Sequence, residues 1–243
     1  FDMRLALANL GMVLPEFPGP VTLTGSMAPF GDGADLDIAV TGPAGLTAQV
    51  TGQASAGQSN DLRLNGSADA GLINGFIAPR SISGGAQFDL ALRGALGLAG
   101  LSGQISVADG RLADPNLPFS LQSIAASADI SAGRMSVNAS AKSSSGGAIT
   151  LTGQLTAIAP YQADLAIALR ALGLRDPDLY ETSVSGDLTL TGPLRAGAQL
   201  AGTVDLGRTE VKLRPAPIAA ATLPDLRPVS YTHLRAHETG RNL

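Results

Sequence analysis

Asp187-Leu188-Thr189-Leu190-Thr191 sets its leucines on one side of an extended chain and its aspartate and threonines on the other. Successive side chains of a strand point to opposite faces, so this stretch reads as a strand with one apolar and one solvated face. Working backwards, Gln162-Ala163-Asp164-Leu165-Ala166-Ile167-Ala168-Leu169-Arg170 repeats the design, with Ala163, Leu165, Ile167 and Leu169 inward and Gln162, Asp164 and Arg170 outward. The same alternation marks residues 21–24, 36–40, 61–64, 87–92, 104–107, 127–130, 135–137, 148–151 and 200–206. Nearly every outward position is Thr, Ser, Gln, Asp or Arg, which suits a sheet face in water. The fold class is therefore all-β. Residues 161–174 also offer a helical stripe through Leu165, Leu169 and Leu172, but the near-unbroken alternation and the Arg175-Asp176-Pro177 turn after Gly173 favour a strand. Residues 3–14 and 220–226 are open to either reading.

Glycine punctuates the strands in a recurring phrase: Thr24-Gly25-Ser26, Thr51-Gly52-Gln53, Ser102-Gly103-Gln104, Thr152-Gly153-Gln154 and Thr191-Gly192-Pro193. These glycines either take positive φ in turns or mark bends and bulges where the sheet curves. The spacing of the phrase is irregular, unlike the fixed period of a leucine-rich or propeller repeat. The paired glycines Gly84-Gly85 and Gly146-Gly147 read as turns, because no Lys-Ser/Thr follows them and no strand-to-helix context surrounds them.

Composition narrows the architecture. The 243 residues include 30 glycines but only six Phe, three Tyr and no Trp, so Leu, Ile, Val and Ala supply most of the apolar surface. Small side chains fill a deep core poorly. With 44% apolar residues the chain is nonetheless too hydrophobic for a disordered composition, and a thin structure of one or two bent or rolled β-layers satisfies both facts. The net charge of −4 and the absence of a Lys/Arg stripe argue against a nucleic-acid partner. Without cysteine there is no disulfide framework, thiol nucleophile or thiolate metal site. Apolar runs fall well short of the ~20 residues of a membrane-spanning helix. The sequence opens in mid-pattern at Phe1-Asp2-Met3-Arg4 without the stages of a signal peptide, so the native N-terminus and its targeting or anchoring elements are expected to lie outside it.

Candidate chemistry is sparse. His233 and His237 would share a helix face, but no acidic general base stands between them. Gly31-Asp32-Gly33-Ala34-Asp35-Leu36-Asp37 offers at most three carboxylates where calcium takes about six oxygens, and reads as a hairpin turn. Ser143-Ser144-Ser145 beside Lys142 lacks the spacing of a serine–lysine nucleophile. Acidic residues fall singly on outward faces, and no histidine precedes residue 228, which removes the commonest proton shuttle near neutral pH. No catalytic, cofactor or metal site is assigned, and the chain is not expected to be an enzyme. From about Arg227 the alternation stops, and Pro228-Val229-Ser230-Tyr231-Thr232-His233-Leu234-Arg235-Ala236-His237-Glu238-Thr239 resembles translated adapter or vector sequence. Residues 227–243 are accordingly set apart as a non-native tail.

An ordered succession of phrases carries a resemblance. Ile105-Ser106-Val107-Ala108-Asp109-Gly110-Arg111-Leu112-Ala113-Asp114-Pro115 is followed by Leu121-Gln122-Ser123-Ile124, by Ser144-Ser145-Gly146-Gly147-Ala148-Ile149-Thr150-Leu151-Thr152-Gly153-Gln154-Leu155, and by Leu174-Arg175-Asp176-Pro177-Asp178-Leu179-Tyr180. The series closes on Gly202-Thr203-Val204-Asp205-Leu206 and Thr209-Glu210-Val211. Over most of residues 20–215 this resembles the TamB family of translocation and assembly module proteins, within the wider AsmA-like group of bacterial envelope proteins. The resemblance implies an elongated, curved antiparallel sheet folded into a taco-like apolar groove. It also implies a periplasmic location in a parent protein anchored in the inner membrane, phospholipids as cargo between inner and outer membranes, and an Omp85-class outer-membrane barrel as partner. Residues 1–226 would then be one segment of a repetitive TamB-like β-groove domain.

The residues support part of this independently, because a sheet with one continuous apolar face must hide it, either by packing in a sandwich or by folding into a groove with room for acyl chains. Lining candidates are Leu90, Leu92, Ile105, Val107, Ile149, Leu151, Leu165, Ile167, Leu169, Leu188 and Leu190. The alternative function is a structural scaffold for outer-membrane protein assembly, acting through exposed sheet edges. An extracellular adhesin or β-solenoid would show a steadier period than this chain has.

Overall fold

The computed structural model describes residues 1–9, 19–55, 60–95, 97–156, 158–176, 178–195 and 197–212. All of these belong to the unit Phe1–Lys212. The segment 220–226, the tail from residue 227 and its two histidines lie outside the described residues.

Period-two alternation produces strands throughout. The described residues form β1 (Asp2–Leu7), β2 (Val21–Phe30), β3 (Gly33–Thr41), β4 (Thr47–Ser55), β5 (Asn60–Asp69), β6 (Ser81–Gly94) and β7 (Leu101–Ala113). They continue as β8 (Leu121–Ser131), β9 (Arg134–Ser143), β10 (Ala148–Thr156), β11 (Gln162–Asp176), β12 (Tyr180–Pro193), β13 (Gln199–Leu206) and β14 (Glu210–Val211). Each strand from β1 to β13 pairs antiparallel with the next in sequence, and β14 continues the β13 side of β12 through Tyr180↔Val211 and Glu181↔Glu210. The first and last strands do not meet, so the elongated sheet stays open rather than closing into a barrel. A short 3-10 turn at Pro43–Gly45 and a helical insert, Ala70–Ile73 running into Asn74–Ile77, interrupt it. The insert is tied back by Asn74, whose Oδ1 accepts from the Ile82 amide at 2.8 Å while its Nδ2 donates to the Ile82 carbonyl at 3.1 Å, as a strand neighbour would.

Among the described residues no second layer covers this sheet. Among the described residues no large side chain is fully buried, yet the strands alternate between exposed and half-buried positions, as β9 does over its whole length. A flat single sheet would expose both faces equally. The apolar face is shielded because the sheet curves over it, and glycine permits that curvature. Gly153, in mid-strand, has φ +145, and a Cβ there would be driven into the carbonyl of Asp164 on β11. Gly52, Gly103 and Gly153 of the recurring phrase thus sit inside strands with positive φ. Gly84-Gly85 corrects the turn reading: both lie inside β6, where Gly84 has φ +133 and approaches Gly110 too closely for a side chain. Gly146-Gly147 does form the β9–β10 turn, and Gly31-Asp32 the β2–β3 turn.

The strand reading of residues 161–174 holds, and the helical stripe has a cause. The β11–β12 register shifts between Leu169 and Leu172, with Ala171 in the left-handed region at φ +48. One inserted residue resets the alternation, so Leu172 and Leu174 rejoin the face of Leu165, Ile167 and Leu169. The amide of Ala171, displaced from the ladder, donates to Ser185 Oγ at 3.0 Å. Asp109 in β7 (φ +52) and Ser123 in β8 (φ +50) stand at corresponding register shifts, which keep Leu112, Ile124 and Leu121 on the same face.

Two substitutions test this backbone account. Gly153→Ala is expected to lower unfolding free energy in urea by about 2 kcal/mol or more, against a change within about 0.5 kcal/mol for Thr152→Ala on the outer face. Ala171→Gly removes the left-handed penalty at the bulge and is expected to be neutral or to stabilise by up to about 1 kcal/mol. A loss larger than that would show that residue 171 does not occupy the bulge.

Candidate functional site

Register carries one row of side chains across thirteen strands. Starting at β1 it runs Leu5, Leu23, Val40, Ala48, Gly66, Phe88, Ile105, Ala128, Val137, Gly153, Leu165, Leu190 and Leu200, each directly opposite the next. Every member is apolar or glycine. A second row on the same face runs from Met3 through Gly25, Ile38, Val50, Leu64, Leu90 and Gly103 to Ile130, Met135, Leu155 and Ala163. On its other side, Val107, Ala126, Ala139, Leu151, Ile167 and Leu188 form a third. Among the register-paired residues of β1 to β13, the one charged side chain on this face is Asp176, at the end of β11. Its Oδ1 accepts from the amides of Asp178 (2.9 Å) and Leu179 (3.1 Å) and so is occupied in closing a turn.

The opposite face is polar along an equally long row, which includes Gln49, Asn65, Asp89, Gln104, Asp129, Ser136, Gln154, Asp164 and Thr191. Ion pairs such as Arg170–Asp187 at 2.8 Å lie on this face and are exposed at both ends. Such pairs contribute little to stability. Their effect is to keep charge on one side of the sheet.

All eleven lining candidates fall on the apolar face. Leu165 and Leu190 belong to the central row with Ile105, Leu90 to the second, and Val107, Leu151, Ile167 and Leu188 to the third. Leu92 lies opposite Leu62 and Leu101, while Ile149 and Leu169 form a pair with each other. The structure adds Phe88, whose ring lies against the Cα of Gly66, where any side chain would meet the ring tip. Phe88 is in phase with Leu90, so alternation alone was enough to find it. Leu112, Leu172 and Leu174 were hidden by the bulges.

The other candidates assemble no chemistry. Ser143 Oγ and Ser145 Oγ are 2.8 Å apart, Ser145 Oγ donates to the Gly173 carbonyl, and Ser144 Oγ accepts from the Ser120 amide at 3.0 Å, so these serines clamp the β9–β10 turn to its neighbours. Among the described residues no group of three or more His, Cys, Asp or Glu is placed to hold a metal ion, and no helix is long and apolar enough to cross a membrane.

Residues 137–232 match the family model described as the TamB C-terminal domain. Over that part the chain is similar to the TamB family. The match begins within β9, takes in the remaining strands, and extends past the described residues into the first positions of the segment from 227. No curated protein and no solved structure gives a significant match. The central row continues through the sheet upstream of the TamB match, from Leu5 on β1 to Ala128 on β8.

One rim contact titrates. Asp114, after β7, accepts from the backbone amide of Asn116 at 2.9 Å and from Arg80 Nε at 2.6 Å, and these two contacts hold its carboxyl below the ordinary carboxylate value. A group whose folded pKa is depressed stabilises above its unfolded value, about 4, and loses that contribution as pH falls through the folded value. The gap in urea midpoint between the native chain and Asp114→Asn, present at neutral pH, is therefore expected to narrow below about pH 4. A gap unchanged down to pH 2.5 would show that the contact contributes nothing through its charge.

Proposed function

We propose that the apolar face is one wall of an apolar conduit for phospholipid acyl chains. The chain would serve as part of a periplasmic TamB-like protein, anchored in the inner membrane, that moves phospholipids between the inner and outer membranes. The observation that carries this reading is the row from Leu5 to Leu200, which crosses thirteen strands without a polar side chain and, among the described residues, has no second layer packed upon it. Each acyl methylene taken from water onto such a wall gains roughly 0.8 kcal/mol. Because apolar contacts are non-directional, a chain held there can slide from one row to the next without breaking a specific bond. The role of Leu165, Ile167, Leu188, Leu190 and their row-mates is then to exclude water and offer a smooth surface, with no residue acting on the cargo chemically.

A scaffold for outer-membrane protein assembly with an Omp85-class barrel is the rival reading, favoured by the strand edges that β1 and β13 present among the described residues. Adjacent residues of β12 separate the two. Leu190 lies on the apolar face and Thr189 on the polar one. A photoreactive residue at position 190 of the parent protein in cells is expected to form adducts with phospholipid, and one at position 189 is not. Protein adducts at both sites, without lipid at 190, would overturn the conduit and support the scaffold.

A further inference from the structure

We infer that a cleft at the rim of the sheet, beside Arg111, binds the phosphate group of a phospholipid. That the phosphate belongs to a lipid rests on the conduit reading above, whereas the phosphate site itself does not. The cleft, of about 360 Å³, lies at the shared end of β6, β7 and β8 and is lined by Ser81, Ser83, Arg111, Ser120 and Gln122. Among the described residues none of these five side chains makes a hydrogen bond or an ion pair with protein. Arg80, Arg170 and Arg175, by contrast, each hold a carboxylate.

The cleft carries positive charge with no carboxylate to offset it. Arg111 lies on the polar face opposite Ser83, and Gln122 stands between it and Lys142 of β9, two strands or about 10 Å away. Of the nearby acids, Asp114 is held by Arg80 and the Asn116 amide, and Asp69 accepts from the amides of Gly71 and Gly84. Asp109, at the β7 bulge, does not line the cleft. Three other clefts on the sheet each include a carboxylate: Asp164 beside Arg134, Asp32, and Asp89. Beyond Lys142 the row meets Arg170, which Asp187 already neutralises.

This donor set matches a phosphate. A guanidinium presents two parallel N–H groups to a pair of phosphate oxygens. The hydroxyls of Ser81, Ser83 and Ser120 and the amide of Gln122 supply neutral donors for the remaining oxygens, and Lys142 adds a second positive charge on the same row. A carboxylate, with two oxygens, would leave most of these donors unused. The cleft also has an apolar side, because Ile82 and Leu112 line it and stand directly opposite each other on the apolar face. Successive residues of a strand point to opposite faces, so Arg111 and Leu112 set a cation and a hydrocarbon surface on the two sides of one rim. A phosphate ester with acyl chains fits both, with its chains on the side of Leu112 and its phosphate turned over the rim to Arg111.

Titration calorimetry on the full chain tests this with three probes: dihexanoyl phosphatidylglycerol, dihexanoylglycerol, which lacks the phosphate, and inorganic phosphate. The phosphatidylglycerol is expected to bind most tightly and to weaken about tenfold or more in Arg111→Gln. It is expected to keep its affinity in Arg63→Gln, a polar-face change on β5 away from the cleft, and to lie between the two in Arg111→Lys, which retains charge but not the fork. Dihexanoylglycerol is expected to bind the native chain and Arg111→Gln alike. Phosphatidylglycerol binding that survives Arg111→Gln unchanged would overturn the site and leave the conduit standing, as would an equal loss of dihexanoylglycerol in that variant. Inorganic phosphate held as tightly as the lipid, and lost equally in Arg111→Gln, would keep the site and overturn the headgroup assignment. Phosphate bound at Arg111 with neither lipid bound would overturn the conduit and not the site. A native chain that binds neither phosphate-bearing probe would overturn the proposal.

Discussion

The backbone ladder keeps one phase through every joint from β1 to β13, and the rest of the molecule depends on that phase. Side chains alternate with period two, so a slip of one residue at any joint would turn the leucines of every later strand to water and the aspartates inward. A sandwich or a barrel can absorb such an error against a second layer or a closing strand. Among the described residues this sheet has neither. Its register is fixed locally, joint by joint, by the opposition of apolar residues on one face and Thr, Gln and Asp on the other, with tight turns such as Gly31-Asp32 and Gly146-Gly147 at some joints.

The same constraint accounts for the composition. A sheet that shelters its own apolar face by curving over it has little volume on the concave side. Ala126, Ala128, Ala139 and Ala141 occupy inner positions of β8 and β9 where a thick core would call for Leu or Phe. Phe88, the aromatic in the central row, sits against Gly66, which has no side chain to give up. Glycine at 52, 103 and 153 admits both the bend of its own strand and the close approach of the next. The scarcity of aromatic residues and the abundance of glycine are two consequences of building a wall one sheet thick.

Alternation made the strands legible in the sequence, and with them the face each leucine would take, because period two is a property of the chain before it folds. The glycine phrase was legible as punctuation but not as geometry, since Gly146 in a turn and Gly84 within a strand look alike until the neighbouring strand is placed. The bulges left almost no mark. Asp109, Ser123 and Ala171 adopt left-handed backbone without being glycine, and only the displaced phase of Leu112, Ile124 and Leu172 betrays them. At Ala171 that displacement mimicked a helix, because shifting a period of two by one residue places Leu165, Leu169 and Leu172 at spacings of four and three. The helical insert between β5 and β6 was equally hidden, being held by the side chain of Asn74 acting as a surrogate strand residue.

Charge placement separates a conduit wall from an unfinished core. An inner face meant only to pack against protein tolerates polar groups wherever a partner can satisfy them. One that meets a sliding hydrocarbon does not, because each fixed polar group would make a barrier of the desolvation it imposes on itself whenever the chain displaces water from it. The register-paired inner face of β1 to β13 confines its single carboxylate to the last position of β11, where two backbone amides occupy it, and places Arg63, Asp89, Asp129, Asp164 and Asp187 on the opposite side. The polar side chains of that face, Asn60, Ser143, Tyr180 and Thr182, stand at strand ends or within two residues of them, clear of the central row. Such a face suits the proposed occupant, an acyl chain that has no polar groups and does not stay in one place.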